Sequence, residues 1–363
     1  MAEDRGIDRL VRREMASVGG YVPGKSTEAL AAEMPAGGII KLNANENPYG
    51  CSPRVNQSLA SYPYLSIYPD AEQRELRGLL AGYAGVGAEN VVASNGSNQL
   101  IDDVLRLFVA PGDEVINCVP TFDLFRFRTQ IYGGTVVEVL RNKDFAVDVS
   151  AVKAAITGRT KMIILAIPNN PTGTVIPREN IREMADTGLP LLVDEAYIEF
   201  GGRTVAQLVT RYQNLMVLRT FSKWAGLAGL RIGYGIFPPI ITEYLMKTRV
   251  PFSVNAAAVV AVRETLADLK YVQDRVKLIV AERERLFAEL KRLQWLKPFP
   301  SQANFIFCSV LKGNARKIQQ ELQDRGILIR YFDVPLLENA IRISVGKPEH
   351  TDAVIKALRE IGG

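Results

Sequence analysis

The sequence predicts an α/β protein: a large, doubly wound, mostly parallel seven-stranded sheet domain, with a smaller α+β domain after it. Three observations predict this. From about residue 90 the 363-residue chain alternates short apolar, β-rich runs with helical patterns. Most of those runs are apolar at consecutive positions, as strands buried on both faces require. Beyond about residue 265 the rhythm gives way to charged amphipathic helix and shorter strands.

Residues 1–45 lack the α/β rhythm and read as an N-terminal arm and small-domain segment, packing on the smaller domain or on a neighbouring subunit. Residues 46–265 form the large domain. Its strands are "VVAS" from Val91, "DEVINCV" from Asp113, "GTVVEVL" from Gly134, "TKMIILAI" from Thr160, "LPLLVDEAY" from Leu189, "NLMVLRTF" from Asn214 and "RIGYGIF" from Arg231. Residues 266–363 form the small C-terminal domain. It opens with one long amphipathic helix over about 264–297. "NFIFCSV", a helix around "ARKIQQELQDRG", "ILIR", "AIRISVG" and a last helix follow.

Composition narrows the chemistry. The chain is 47% hydrophobic and 23% charged, the balance of a soluble globular protein. It has no eighteen-residue apolar run, and its charged start, "MAEDRGIDRLVRREM", is not a secretory signal. Cys51, Cys118 and Cys308 are too few and too scattered for a disulfide framework or a zinc ribbon, and suit a reducing cytoplasm. His350 is the single histidine, so no two-histidine metal centre can form. A Ser-His-Asp triad would have to use it, at what reads as a surface helix start. No metal and no membrane are expected. The net charge of +5 comes without a dense basic run, so nucleic acid is not expected, and a weak preference for anionic small molecules follows.

Ligands of such sheets bind beyond the carboxyl ends of the strands. After the first strand, Gly96, Ser97 and Asn98 open a helix. Its free N–H groups suit an anion, although an ordinary capping turn looks the same. Phe122 follows the second strand and could stack on a flat ring or serve the core. "IPNNPTG" follows the fourth, with Asn170 before Pro171 in what is also good turn sequence. "LLVDEAY" brings Asp194 and Tyr197 to the sheet edge, where a carboxylate needs a partner. Ser222 and Lys223 follow the sixth strand, with Arg231 eight residues on from Lys223. Arginine is shaped for phosphate, and a desolvated lysine among cations becomes a nucleophilic amine.

Together these groups describe one ligand. It has a phosphate for Ser97, Asn98, Ser222 and Arg231, a flat ring for Phe122, and a basic ring nitrogen for Asp194. It also has a ring oxygen for Asn170 and Tyr197, and a carbonyl for Lys223. Pyridoxal 5'-phosphate has all of these.

"NPTG", "DEAY" and "SKWAGLAGLRIGY", in this order on this fold, resemble the fold-type I pyridoxal-phosphate-dependent aminotransferases across nearly the whole chain. The markers "YVPGK", "LNANENPYG", "YPDAEQRELR", "ILIR" and "AIRISVG" resemble the branch acting on histidinol phosphate in histidine biosynthesis. The resemblance implies transfer of the amino group of L-histidinol phosphate to 2-oxoglutarate, giving imidazole-acetol phosphate and L-glutamate. It implies that Lys223 is the Schiff-base lysine, Asp194 the pyridinium partner, and Tyr197 with Asn170 the partners of the ring oxygen. It further implies a cytoplasmic homodimer with shared sites, Tyr68 reaching the phosphate in the neighbouring subunit. Arg330 and Arg342 would hold substrate anions, and Tyr21 would help close the pocket. Three positions depart from the family pattern. "GSNQ" stands where an acidic pair is usual, Phe122 where tyrosine is common, and "YPDA" where "YPDP" is usual.

Other readings compete. Aromatic-amino-acid aminotransferases and threonine-phosphate decarboxylase carry nearly the same motifs, and a non-catalytic binding protein would need no reactive lysine. "GGYVPGKS", residues 19–26, fits the spacing of a P-loop ATPase. What precedes it reads as a charged helix rather than a strand, and Pro23 removes an N–H that such a loop would use.

Overall fold

The structure is a computed structural model and describes residues 7–16 and 38–362. Tyr21 and residues 19–26 lie outside the described residues.

The seven runs form one sheet. Its strands are β2 (Val91–Ser94), β3 (Glu114–Val119), β4 (Thr135–Leu140), β5 (Thr160–Ala166), β6 (Leu191–Asp194), β7 (Leu215–Thr220) and β8 (Gly233–Ile236), in the order β2-β8-β7-β6-β5-β3-β4. All pairings are parallel except those of β8, which runs against both β2 and β7. The carboxyl ends of the other strands therefore share one edge of the sheet. β8 begins at that edge, with Gly233 opposite Ser94 and Thr220. That reversal brings Arg231, two residues before β8, to the same rim as Lys223.

β5 shows why these runs lack alternation. Ile163 and Leu165 join one core, Met162 and Ile164 the other, so both faces of the strand are covered. β4 departs from the expected burial because it is an edge strand: Thr135, Glu138 and Leu140 are exposed.

A second sheet holds β9 (Leu296–Pro298), β10 (Phe305–Val310), β11 (Ile327–Phe332) and β12 (Ala340–Ser344). It also holds β1 (Ile40–Leu42), in the order β1-β11-β12-β10-β9. β1 pairs parallel to β11, with Leu42 opposite Ile329. The core lining one face of the large sheet continues into this one through Leu42, Phe305, Ile329, Ile341 and Ile343.

The single helix expected over about 264–297 is instead two helices and a strand. Ala256–Ala267 and Leu269–Lys291 are separated by Asp268, whose φ of −117° and ψ of 36° leave the helical region. The Ser52 hydroxyl donates to the Asp268 carboxylate there. Leu296–Pro298 pairs with β10 because Leu296, one of its residues, is buried in the core. Both β1 and β9 have three residues, too few to show a period.

Candidate active site

The strand ends assemble one site. β6 ends at Asp194, which is 6% exposed. Its Oδ1 accepts from the Ala196 N–H at 3.0 Å. Burial pushes this carboxyl up to about 7, Glu195 pushes the same way, and the Lys223 charge opposes. Lys223 follows the neighbouring strand β7. Its Nζ donates to the Ala44 carbonyl at 2.9 Å. Desolvation, then Arg342, bring the amine down to about 8, with Arg231 and Lys41 adding to the fall and Glu46 resisting it.

Glu195 does not compete for Lys223, because it is committed elsewhere. It accepts from Arg219 Nε at 3.0 Å, from the Thr204 hydroxyl at 2.7 Å and from the Val205 N–H at 2.6 Å. Adjacent acids of the same strand end thus have opposite settings: Glu195 is paired, and Asp194 waits for a cation.

Asn170 accepts at Oδ1 from Arg342 Nη1 at 2.6 Å, and Arg342 Nη2 donates to the Asn43 carbonyl at 2.7 Å. The turn before Asn170 is held by Asn169. That side chain is fully buried, accepts from the Thr121 hydroxyl at 2.7 Å and Arg141 Nη2 at 3.2 Å, and donates to the Thr172 hydroxyl at 2.8 Å. Tyr197 is buried edge-on against Phe305, and its hydroxyl accepts from Asn45 Nδ2 at 2.9 Å. Phe122, half-buried, meets Phe125 edge-on at the β3 end.

The phosphate-binding expectation falls on a close-packed corner. Gly96 has φ 84°, and a Cβ there would lie 2.6 Å from Arg231 Nη2. A Cβ on Gly233 would lie 2.3 Å from the Ser97 nitrogen. Two glycines therefore let the N-terminus of helix Ser97–Phe108 and the Arg231 guanidinium converge. Arg231 itself has φ 52°, and its Nη1 reaches the Ser222 hydroxyl at 3.5 Å. Asn98 is exposed as the second residue of the helix, so its backbone N–H rather than a buried side chain faces this corner.

Arg330 and Arg342 are register partners across β11 and β12. Arg342 is buried and Arg330 half-buried, lying 5.9 Å above the Phe332 ring. Tyr68 stands apart: it is 77% exposed and stacks on Phe252 at 4.6 Å.

The residues fit pyridoxal phosphate on their own chemistry. A buried acid near 7, held by a backbone N–H, gains from a cationic ring nitrogen. The glycine-cleared corner gains from an anion. Sequence reasoning missed the contributions of residues 43–45. Their backbone and side chains hold Arg342, Lys223 and Tyr197 in turn. The available signal was Asn45 itself, since asparagine tolerates the positive φ of 55° found there.

The sequence pattern of class I and II aminotransferases matches residues 37–359. The chain belongs to this aminotransferase family. It is 51% identical to the histidinol-phosphate aminotransferase of Dehalococcoides mccartyi strain CBDB1, over 98% of this chain and 99% of that one. It is 44% identical to the enzyme of the same name from Roseiflexus castenholzii, over 98% and 99%. The crystal structure of the Sinorhizobium meliloti histidinol-phosphate aminotransferase, in complex with pyridoxal-5'-phosphate, superposes with a TM-score of 0.88. That match has 28% identity and covers 97% of each chain. Within the class, the chain is a member of the histidinol-phosphate aminotransferase family. This membership displaces the P-loop ATPase alternative. Among the described residues no group of side chains could hold a metal ion, and no helix is long and apolar enough to cross a membrane.

Proposed function

We propose that the chain moves the amino group of L-histidinol phosphate to 2-oxoglutarate with pyridoxal phosphate as cofactor. The observation that carries this is the placement of Lys223, just after β7, and buried Asp194, at the end of the neighbouring parallel strand β6, on the rim that also holds Arg231 and the Gly96 corner. The bound cofactor supplies an electron-withdrawing ring that takes up the electron pair released when the substrate carbon loses its proton.

The protein's part is attachment, orientation and proton transfer. Lys223 would hold the cofactor by its aldehyde, and its amine would carry the proton between the substrate carbon and the cofactor's own carbon. A pKa near 8 leaves a usable share of it neutral near neutral pH. Asp194 becomes an anion when a ring nitrogen cation meets it, which keeps that nitrogen protonated. Tyr197 and Asn170 orient the ring oxygen, and Phe122 covers the ring. Ser97, Asn98, Ser222 and Arg231 hold the phosphate. Arg330 and Arg342 take the substrate phosphate in one half-reaction and the carboxylates of glutamate in the other.

The enzyme works in the cytoplasm as a homodimer in which Tyr68 serves the neighbouring site. The exposure of Tyr64, Leu65, Ile67 and Tyr68 in one short stretch supports a covered surface there. The proposed division into residues 1–45, 46–265 and 266–363 is supported by the separation of the two sheets, with β1 carried by the first segment, while its second boundary falls inside the helix Ala256–Ala267.

Steady-state rates on histidinol phosphate, phenylalanine and tyrosine, with 2-oxoglutarate as acceptor, test the substrate. The expected kcat/KM for histidinol phosphate exceeds the others by roughly a hundredfold, as a site with phosphate-directed cations should. Equal values would favour an aromatic-amino-acid aminotransferase.

A further inference from the structure

Asn45 is among the most fully committed polar side chains near the site. It is 2% exposed and has φ 55°. Its N–H donates to the Ser344 hydroxyl at 2.9 Å, and that hydroxyl donates back to Asn45 Oδ1 at 2.8 Å. Its carbonyl accepts from Asn304 Nδ2 at 2.9 Å. With Oδ1 accepting from Ser344, Nδ2 of the same amide is turned to Tyr197.

That orientation sets a polarity. A phenol that accepts from an amide N–H must direct its own hydrogen elsewhere, and accepting makes it a stronger donor. We propose that Asn45 is a positioning residue: by donating to the Tyr197 hydroxyl it turns that hydroxyl's hydrogen toward the cofactor's ring oxygen and strengthens that donation. The proposal rests on the pyridoxal-phosphate reading of the site and on Tyr197 facing the ring oxygen. It goes beyond that reading by giving the tyrosine's direction a cause outside the cofactor.

The consequence is spectroscopic. A ring oxygen that receives a strong hydrogen bond keeps less hold on the proton it shares with the neighbouring lysine nitrogen. Asn45 therefore lowers the pH at which the holoenzyme's visible absorbance changes. The charged groups around this point are Asp194 at the β6 end, Lys223 after β7, Arg342 on β12, Arg231 before β8, and Lys41 with Glu46 flanking Asn45. Neutral substitutions leave all of them in place.

The test is the absorbance midpoint of purified holoenzyme against pH, with cofactor content and melting temperature measured alongside. Tyr197→Phe is expected to raise the midpoint by about one unit, the scale of one charge-assisted hydrogen bond. Asn45→Ala is expected to raise it by roughly half as much, and to add nothing in the Tyr197→Phe background. Should Asn45→Ala fail to fold, Asn45→Gly also removes the donor, stays neutral and suits the φ of 55° there, and its midpoint is expected to rise as for Asn45→Ala. An unmoved midpoint in Asn45→Ala beside a moved one in Tyr197→Phe overturns the proposal and leaves the cofactor reading intact. So does an equal shift with and without the tyrosine hydroxyl. An unmoved midpoint in Tyr197→Phe overturns the assignment of Tyr197, and the proposal with it.

Discussion

Asp194 ends β6 and Lys223 follows β7, its parallel neighbour, and desolvation moves both toward neutrality, the acid up to about 7 and the amine down to about 8. Each charge is costly alone, and the site is built for a third group that gives each a partner.

Lys223→Ala should lose transamination by roughly a thousandfold or more, since it removes both the attachment point and the proton carrier. Cofactor should remain, held by the corner around Gly96. Borohydride treatment followed by mass spectrometry should find a permanent cofactor adduct on the wild-type chain and none on the variant. An adduct on the variant would place the reactive amine elsewhere.

The ionisation of Asp194 makes the stability of the cofactor-free protein depend on pH. Unfolded, this carboxyl loses its proton near about 3.9. Folded without cofactor, it keeps the proton up to about 7. Between those values the folded state binds more protons, so stability falls as pH rises from 4 to 7. Asp194→Asn removes that loss, and in urea unfolding the apo variant should gain up to ~4 kcal/mol on wild type between pH 4 and pH 8. Lys223 acts in the other direction. Its folded value of about 8 lies below the ordinary amine, so its buried charge costs stability below pH 8 and is relieved as pH rises toward about 10.4. A Lys223→Met apoprotein should gain most below pH 8. Parallel wild-type and variant curves would show that neither group is desolvated.

Gly96→Ala should loosen cofactor binding. The new methyl would meet Arg231 Nη2 at 2.6 Å, and φ of 84° is unfavourable for alanine. Titration of the apoprotein with pyridoxal phosphate should show a Kd raised roughly tenfold, with the dependence on inorganic phosphate competition weakened too. An unchanged Kd would mean the phosphate sits elsewhere.

Arg342→Ala should raise the KM for glutamate by roughly ten- to a hundredfold while cofactor stays bound. It also leaves the Asn170 side chain and the Asn43 carbonyl without this donor, so the melting temperature should fall. Arg330→Ala should raise the KM for histidinol phosphate with little loss of stability, because Arg330 is half-buried and lies over the Phe332 ring. If both variants changed only stability, the two arginines would be structural.

Chains carrying Lys223→Ala mixed with chains carrying Tyr68→Phe should regain activity in the hybrid dimer, with one intact site assembled from both. Activity of the mixture no greater than the mean of its parents would remove Tyr68 from a shared site.

The large sheet was readable because its strands are buried on both faces, and runs such as Thr160–Ala166 announce that by composition alone. The site followed because parallel strands send their carboxyl ends to one rim, so order along the chain became neighbourhood in space. β1 and β9 escaped because three residues carry no period, and the break at Asp268 because a single non-helical residue leaves the hydrophobic pattern undisturbed. Asn45 escaped for a different reason. Its importance comes from Ser344, Asn304 and Tyr197, which arrive from positions 150 to 300 residues away, and no local pattern records such a meeting.

The pairing of β1 with β11 has a consequence for synthesis. Leu42 emerges well before its neighbour Ile329, with the whole large sheet between them in the chain. While the chain is still growing, the large sheet can close and Lys223 can reach its rim, yet residues 43–45 have no second sheet to be drawn into. The catalytic groups therefore exist before the clasp that aligns them. Competence to react should appear only once Ile329 has emerged and β1 can pair with β11.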